Sequence, residues 1–226
     1  DGLPGVSGKY TEAQRNRLYR EGARRFFRLD RGSQALEIMG DGGACTYVRE
    51  REPVYEVEEV LEFYDCCGFY LGISMDHLIF GYDVTLDMNS ANDVPADWLF
   101  RQNLTIELAA EFLRLHRVRS CRFEPIAVAH GWSPKSYADA VRRLQTVGYD
   151  RIALGGMVAL KSPDILATLK EVSSALAPRT RLHLLGVTRT AHVQEFARYG
   201  VTSFDSTSPF FQAFKDEKDN YYTLDS

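Results

Sequence analysis

The sequence predicts an α/β fold, a (β/α)8 barrel of the TIM type that is incomplete at its N-terminal end. Three observations predict it. An apolar strand-like run, a polar or glycine residue at its C-terminal end and an amphipathic helix recur along the chain, and that alternation builds a parallel sheet. No GxGxxG turn opens a helix, as a dinucleotide-binding sheet would require. The strand ends carry Asp41, Asp76, His130, the Gly155–Gly156 pair and Asp205, which converge naturally only if the sheet closes on itself. Six strand candidates fall two units short of eight. Either the first strands lie in a region outside this chain, or the N-terminal segment covers the gap irregularly.

The 226 residues, 45% of them hydrophobic, suffice for one domain with a full core. Residues 1–33 read as a basic helical segment and 34–215 as the barrel core. A net charge of −4 gives no global support for nucleic-acid binding, although local charge can differ from the sum. No apolar run is long enough to cross a bilayer, and the N-terminus DGLPGVSGKY lacks the pattern of a signal peptide, so a soluble cytoplasmic protein is expected. Cys45, Cys66, Cys67 and Cys121 show no CxxC spacing, which favours free thiols over a disulfide framework or a zinc site.

In chain order, residues 11–31 form a helix candidate in which seven arginines, Arg15 to Arg31, interleave with Leu18, Tyr19, Phe26 and Phe27. Two readings stand: a face that grips phosphates, or the solvated side of an outer helix. The strand at 35–39 breaks into Gly40, Asp41, Gly42 and Gly43, where glycines let backbone approach a ligand and leave Asp41 at the strand mouth. A helix over 53–67 leads to the strand FYLGISMDHLI, which ends on Asp76 with His77 beside it. Residues 80–98 are polar and turn-rich and read as a long functional loop. An amphipathic helix follows over about 104–118, with Leu104, Leu108, Phe112 and Leu115 on one side.

From there the alternation is regular. Strand FEPIAVAHG ends on His130, Ser133 and Pro134 start a helix, and Gly148 stops it. Strand YDRIALGGM ends on Gly155 and Gly156, and Ser162–Pro163 repeats the helix-start device. Strand RLHLLGV and helix TAHVQEFARYG then deliver the chain to GVTSFDSTSP, where an apolar run stops on Asp205. His183 reads as a core or strand histidine.

Two aspartates facing one another across a barrel mouth suit substitution at a sugar anomeric centre, where one carboxylate traps an oxocarbenium-like carbon and the other handles a proton. A divalent metal held by Asp41, Asp76, His130 and Asp205 in a barrel hydrolase is the competing reading.

The run GVTSFDSTSP resembles the nucleophile segment of the tRNA-guanine transglycosylase family. GDGGACTY resembles that family's Asp-x-Gly-x-aromatic segment with Cys45 in the aromatic position, ISMDH its second acidic strand end, IALGGM its base-binding Gly-Gly turn, and LHLLGV its Leu-Met-Gly-Val strand. Order and spacing agree over 34–215. The resemblance implies that Asp205 attacks C1′ of the target guanosine to give a covalent glycosyl-enzyme, and that Asp41 moves the proton of the incoming base. It further implies that Asp76 binds the polar edge of the purine, with the Gly155–Gly156 turn in the same pocket and Met157 packed on the base. His130 stands where the family usually has a glutamine, and the resemblance gives it a place in binding the base, where an imidazole can donate or accept. The early barrel strands lack a recognisable counterpart. The family's zinc module has no counterpart up to Ser226, Ser206 replaces the usual cysteine, and the tail FFQAFKDEKDNYY lacks the basic segment of the tRNA enzymes. These features are more similar to the DNA-modifying DpdA branch. The expectation is a transglycosylase that needs no cofactor and exchanges guanine in DNA for a 7-deazaguanine base such as preQ0, with accessory modification proteins as possible partners. A tRNA substrate, a non-catalytic subunit on the same barrel and the metal-dependent hydrolase are the alternatives. Arg15 to Arg31, or Arg114, Arg117, Arg119 and Arg122, are the candidate phosphate contacts, and Trp98 and Trp132 the candidate stacking platforms.

Overall fold

The computed structural model describes residues 10–30, 36–88 and 93–215. Six parallel strands run in sequence order across a single sheet: β1 (Met39–Gly40), β2 (Leu71–Ile73), β3 (Glu124–Ala129), β4 (Arg151–Leu154), β5 (Arg181–Leu184) and β6 (Val201–Phe204). Helices α1 (Glu12–Phe26), α2 (Val57–Cys67), α3 (Ala96–Arg119), α4 (Pro134–Val147), α5 (Ser162–Ala175), α6 (Val193–Arg198) and α7 (Ser208–Lys215) precede, connect and follow them. The architecture is that of an incomplete (β/α) barrel. Among the described residues β1 and β6 are its two open edges.

Strand parity explains where each side chain goes. Successive side chains alternate between the two faces, and Ile73, Ile126, Val128 and Ala153, with Met39, Leu71 and Leu185 against them, fill the concave face. Ala127, Ala129, Ile152, Leu154, Leu182 and Leu184 point outward into the core shared with the helices. The concave-face parity carries on to the next residues at the strand ends, which are Asp41, His130 and Gly155. The same pattern that fills the barrel therefore aims the polar groups into its mouth.

Local signals set the helix boundaries where they were strongest. Ser133 caps α4 and accepts from the Ser136 N–H at 3.3 Å, while Gly148 ends it with φ at 114°, in the left-handed region that glycine tolerates best. Elsewhere tertiary context overrode them. α5 starts at Ser162 with Lys161 in the cap position and no side-chain cap, so Ser162–Pro163 does not repeat the α4 device. The 104–118 helix begins earlier, at Ala96, so the long polar loop shrinks to a stretch holding a short 3-10 turn over Val84–Asp87; residues 89–92 of that stretch lie outside the described residues. β1 occupies only two residues, and the predicted start of that strand at Ala35 lies outside the described residues. Among the described residues, no helix is long and apolar enough to cross a membrane.

The two arginine groups part company. α1 breaks at Gly22 (φ 75°) and buries Leu18 and Ala23, while Arg17 pairs with Glu21 at 3.0 Å and lies over the Phe26 ring. Arg24 donates to the Leu36 carbonyl, and Arg31 lies outside the described residues. Arg114, Arg117 and Arg119 sit at the C-terminal end of α3, with Arg122 just beyond it. That end feeds the N-terminal end of β3, the edge of the sheet opposite the mouth. Arg114 is held by Glu111 at 2.6 Å and Arg122 by Asp65 at 3.4 Å. This second group therefore lies at the end of the sheet away from the strand mouths.

Candidate active site

Asp205 follows β6 directly, and its carboxylate is fixed on one side only. Oδ1 accepts from the Gly186 backbone N–H at 2.8 Å and from His183 Nε2 at 3.2 Å, while His183 Nδ1 lies 2.8 Å from Ser203 Oγ. A carboxylate only accepts, so Nε2 carries the proton, and in the neutral ring Nδ1 accepts from the Ser203 hydroxyl. Half of the Asp205 side chain is exposed, at 51%, against 6% for His183. Partial burial pushes the Asp205 pKa up. The hydrogen bonds from His183 and Gly186 and the nearby imidazole outweigh it, and the carboxylate is held below its ordinary range.

A register shift makes this contact. Leu182 pairs with Val201 but His183 pairs with Ser203, so β6 gains one residue against β5 at that point. Such a bulge re-aims the side chains beyond it. Without it Thr202 would oppose His183; with it, Ser203 and Asp205 share the face of His183. The sequence pointed to Asp205 but not to His183, because the partnership depends on a nonlocal pairing register. The H-L-L-G run from His183 to Gly186 was the only local trace.

Asp41 lies at the mouth of β1, held by a 3.1 Å hydrogen bond from the Gly43 N–H. Solvent reaches its side chain, yet protein surrounds it closely enough to desolvate the carboxylate. That desolvation raises its pKa above the usual carboxylate range, the Asp76 charge raises it further, and the Asp205 charge adds to both.

Asp76 and His130 form the buried part of the cluster. Their side chains are 4% and 0% exposed, and His130 Nε2 lies 2.6 Å from Asp76 Oδ2. Gln102 Nε2 donates to the His130 carbonyl at 2.8 Å, the Tyr47 hydroxyl donates to the Asp76 carbonyl at 3.0 Å, and His130 Nδ1 has no hydrogen-bond partner among the described residues. Gly155 makes room for the imidazole. A Cβ there would stand 2.4 Å from His130 Cε1, so any side chain would evict the ring. Gly156 sits beside the same ring with φ at 78°, while Met157 is completely buried in the helix-side core. His130 thus touches Asp76 rather than an open surface, and Met157 presents nothing to solvent.

His77, adjacent to Asp76, is occupied structurally. Its Nδ1 accepts from Arg101 at 2.7 Å and its Nε2 donates to the Glu50 carbonyl at 2.8 Å. Among the described residues, no three His, Cys, Asp or Glu side chains come together as a metal-binding group. Asp76 is engaged with His130 and Asp205 with His183. The set Asp41, Asp76, His130 and Asp205 is thereby split into two hydrogen-bonded pairs or partners and one separate acid. What the arrangement can do is hold one carboxylate ionised and half-exposed beside another that retains its proton to higher pH.

The chain is 48% identical over 223 residues to a DNA-guanine transglycosylase of Salmonella montevideo, an alignment that covers 99% of this chain and 52% of that protein. This chain therefore spans about half the length of that relative. No family model matches it.

Proposed function

We propose that this chain is a transglycosylase of the tRNA-guanine transglycosylase superfamily, closest in kind to its DNA-modifying branch, which exchanges a guanine base in DNA for a 7-deazaguanine such as preQ0. One observation carries the reading: the half-exposed carboxylate of Asp205, with Asp41, whose pKa is raised, at another strand mouth, stands at the strand ends of a chain 48% identical to a protein named DNA-guanine transglycosylase.

Asp205 is the nucleophile. With Oδ1 taken by Gly186 and His183, Oδ2 is the oxygen left to attack C1′. The C1′–N9 bond breaks, its electron pair leaves on the purine, and the deoxyribose becomes an ester of Asp205. A raised pKa lets Asp41 give a proton to the departing base and take one from the incoming base, as microscopic reversibility demands. The incoming base attacks C1′ and expels the carboxylate, whose returning charge falls between the Gly186 N–H and His183 Nε2–H. His183 acts through Asp205 and is a positioning residue.

Asp76 binds the polar edge of the purine, and His130 at 2.6 Å holds its carboxylate in one orientation. The Gly155–Gly156 turn lines the same pocket. Attack at C1′ requires the target nucleotide to leave its stack.

The experiment is incorporation of labelled guanine and labelled 7-cyano-7-deazaguanine into DNA and into tRNA by the wild type and by Asp205→Ala. The expected result is incorporation into DNA that Asp205→Ala abolishes. Incorporation by Asp205→Ala at the wild-type rate sinks the mechanism, and incorporation into tRNA alone reverses the choice of polymer.

A further inference from the structure

A cavity of about 340 Å³, within the size range of small-ligand clefts, lies against the segment that follows Asp76. Val48, Leu78, Phe80 and Trp98 line it, with Arg49 and the Asp97–Arg101 pair also in its wall. Leu78, Ile79 and Phe80 in its wall belong to that segment. On one side of that segment the Ile79 carbonyl lies 3.0 Å from where a Cβ on Gly156 would be. On the other side the Trp98 ring packs so closely on Gly81 that a Cβ there would stand 1.7 Å from it. Tyr47, which holds the Asp76 carbonyl, continues directly into Val48 and Arg49.

The walls are cross-braced. Arg101 donates to the carbonyls of Val48 at 3.4 Å and Leu78 at 3.2 Å, to His77 Nδ1 at 2.7 Å and to Asp97 at 2.7 Å, so it braces the cavity and its charge is spent. Trp98 is itself backed by Trp132, with ring centroids 6.4 Å apart and planes 31° apart. Against this aromatic wall stands Phe80, 70% exposed, its ring free to meet a ligand. Arg49 is exposed and has no hydrogen-bond or ion-pair partner among the described residues. Flat apolar walls with one unspent cation suit a planar aromatic ligand that carries an anion.

We infer that this cavity takes the unpaired nucleobase next to the nucleotide whose base is exchanged, stacked on Phe80 and Trp98, with the intervening phosphate on Arg49. The inference rests on the DNA reading above. Pulling the target nucleotide out of the stack strips its neighbour of one stacking partner, and the cavity against the segment that follows Asp76 supplies a replacement. A wall held in place by these hydrogen bonds and ring contacts needs little rearrangement for that capture.

The test is equilibrium binding, which needs no turnover. A fluorescently labelled single-stranded DNA with one guanine is titrated with wild type, Phe80→Ala and Arg49→Ala, alongside versions made abasic at either neighbour of the guanine. Wild type is expected to lose about tenfold in affinity when one neighbour is made abasic, and Phe80→Ala to lose about the same on intact DNA but nothing more on that abasic strand. Arg49→Ala is expected to reduce the salt slope by about 0.7 on this single strand. Equal sensitivity of wild type and Phe80→Ala to the abasic positions overturns the inference, as does an absence of DNA binding. Exchange that depends on Asp205 without any effect of Phe80→Ala on binding would leave the catalytic reading standing and remove this one. Phe80-dependent binding without exchange would do the reverse.

Discussion

Replacing His183 by phenylalanine removes one of the two donors to Asp205 while keeping a ring in the same buried site. The lost bond is 3.2 Å long and its acceptor is 51% exposed, against 2.8 Å for the Gly186 bond that remains. A hydrogen bond to a charged group contributes about 1.5–3 kcal/mol, and length and solvent access reduce this one to about 1 kcal/mol, or roughly fivefold in rate. The sign of the pH effect follows from the lowered Asp205 pKa. With a folded value below the unfolded one, the ionised carboxylate stabilises the fold above the unfolded pKa, and that contribution is lost as pH falls through the folded value. Without His183, burial is opposed by fewer hydrogen bonds and the pKa rises. The acid limb of exchange activity therefore moves to higher pH in His183→Phe. His183→Gln, which restores an N–H donor, recovers part of the shift. The assay is initial exchange rate against pH for the three proteins, with far-UV circular dichroism to confirm folding. An acid limb unmoved in a folded His183→Phe refutes the assignment of His183 as the group that positions Asp205.

Other outcomes follow from the same geometry. Asp41→Asn should abolish or strongly slow exchange while raising the thermal midpoint at neutral pH by no more than about 2 °C, since solvent screens the repulsion it relieves. Its sign is opposite to that of Asp205: a raised folded pKa means that ionisation opposes folding, so the gain should vanish as pH falls below the unfolded carboxylate range. Gly155→Ala places a methyl 2.4 Å from His130 Cε1, and overpacking of that kind should cost about 1–3 kcal/mol in denaturant unfolding and disrupt the Asp76–His130 pair. Tyr47→Phe should cost about 1 kcal/mol through loss of its buried 3.0 Å bond to the Asp76 carbonyl.

The features legible in the sequence were those set by local chemistry or by strict alternation. Ser133, Pro134 and Gly148 bound α4 because capping needs only neighbours in the chain. Period-2 alternation put Asp41 and His130 at strand mouths, on the face that the apolar residues Met39 and Val128 already fill. The contacts that organise the acids were not legible. His183 meets Asp205 only because the register slips between β5 and β6, and the Asp76–His130 pair joins residues 54 positions apart. His130 looked like a base-reading group at a strand end, yet the absence of a side chain at Gly155 lets it fold against Asp76. The cavity beside Trp98 was hidden for a similar reason, since α3 begins a turn or more earlier than its apolar periodicity indicated and carries Trp98 into the wall.

The central claim is that Asp205 becomes covalently bonded to C1′ of the target nucleotide. The direct measurement is to incubate the protein with a guanine-containing DNA, quench with detergent in acid, and locate any sugar-linked peptide by mass spectrometry. The account predicts a detergent-stable DNA adduct on the peptide that contains Asp205, absent from Asp205→Asn. An adduct on another residue, or full exchange activity in Asp205→Asn, would contradict it.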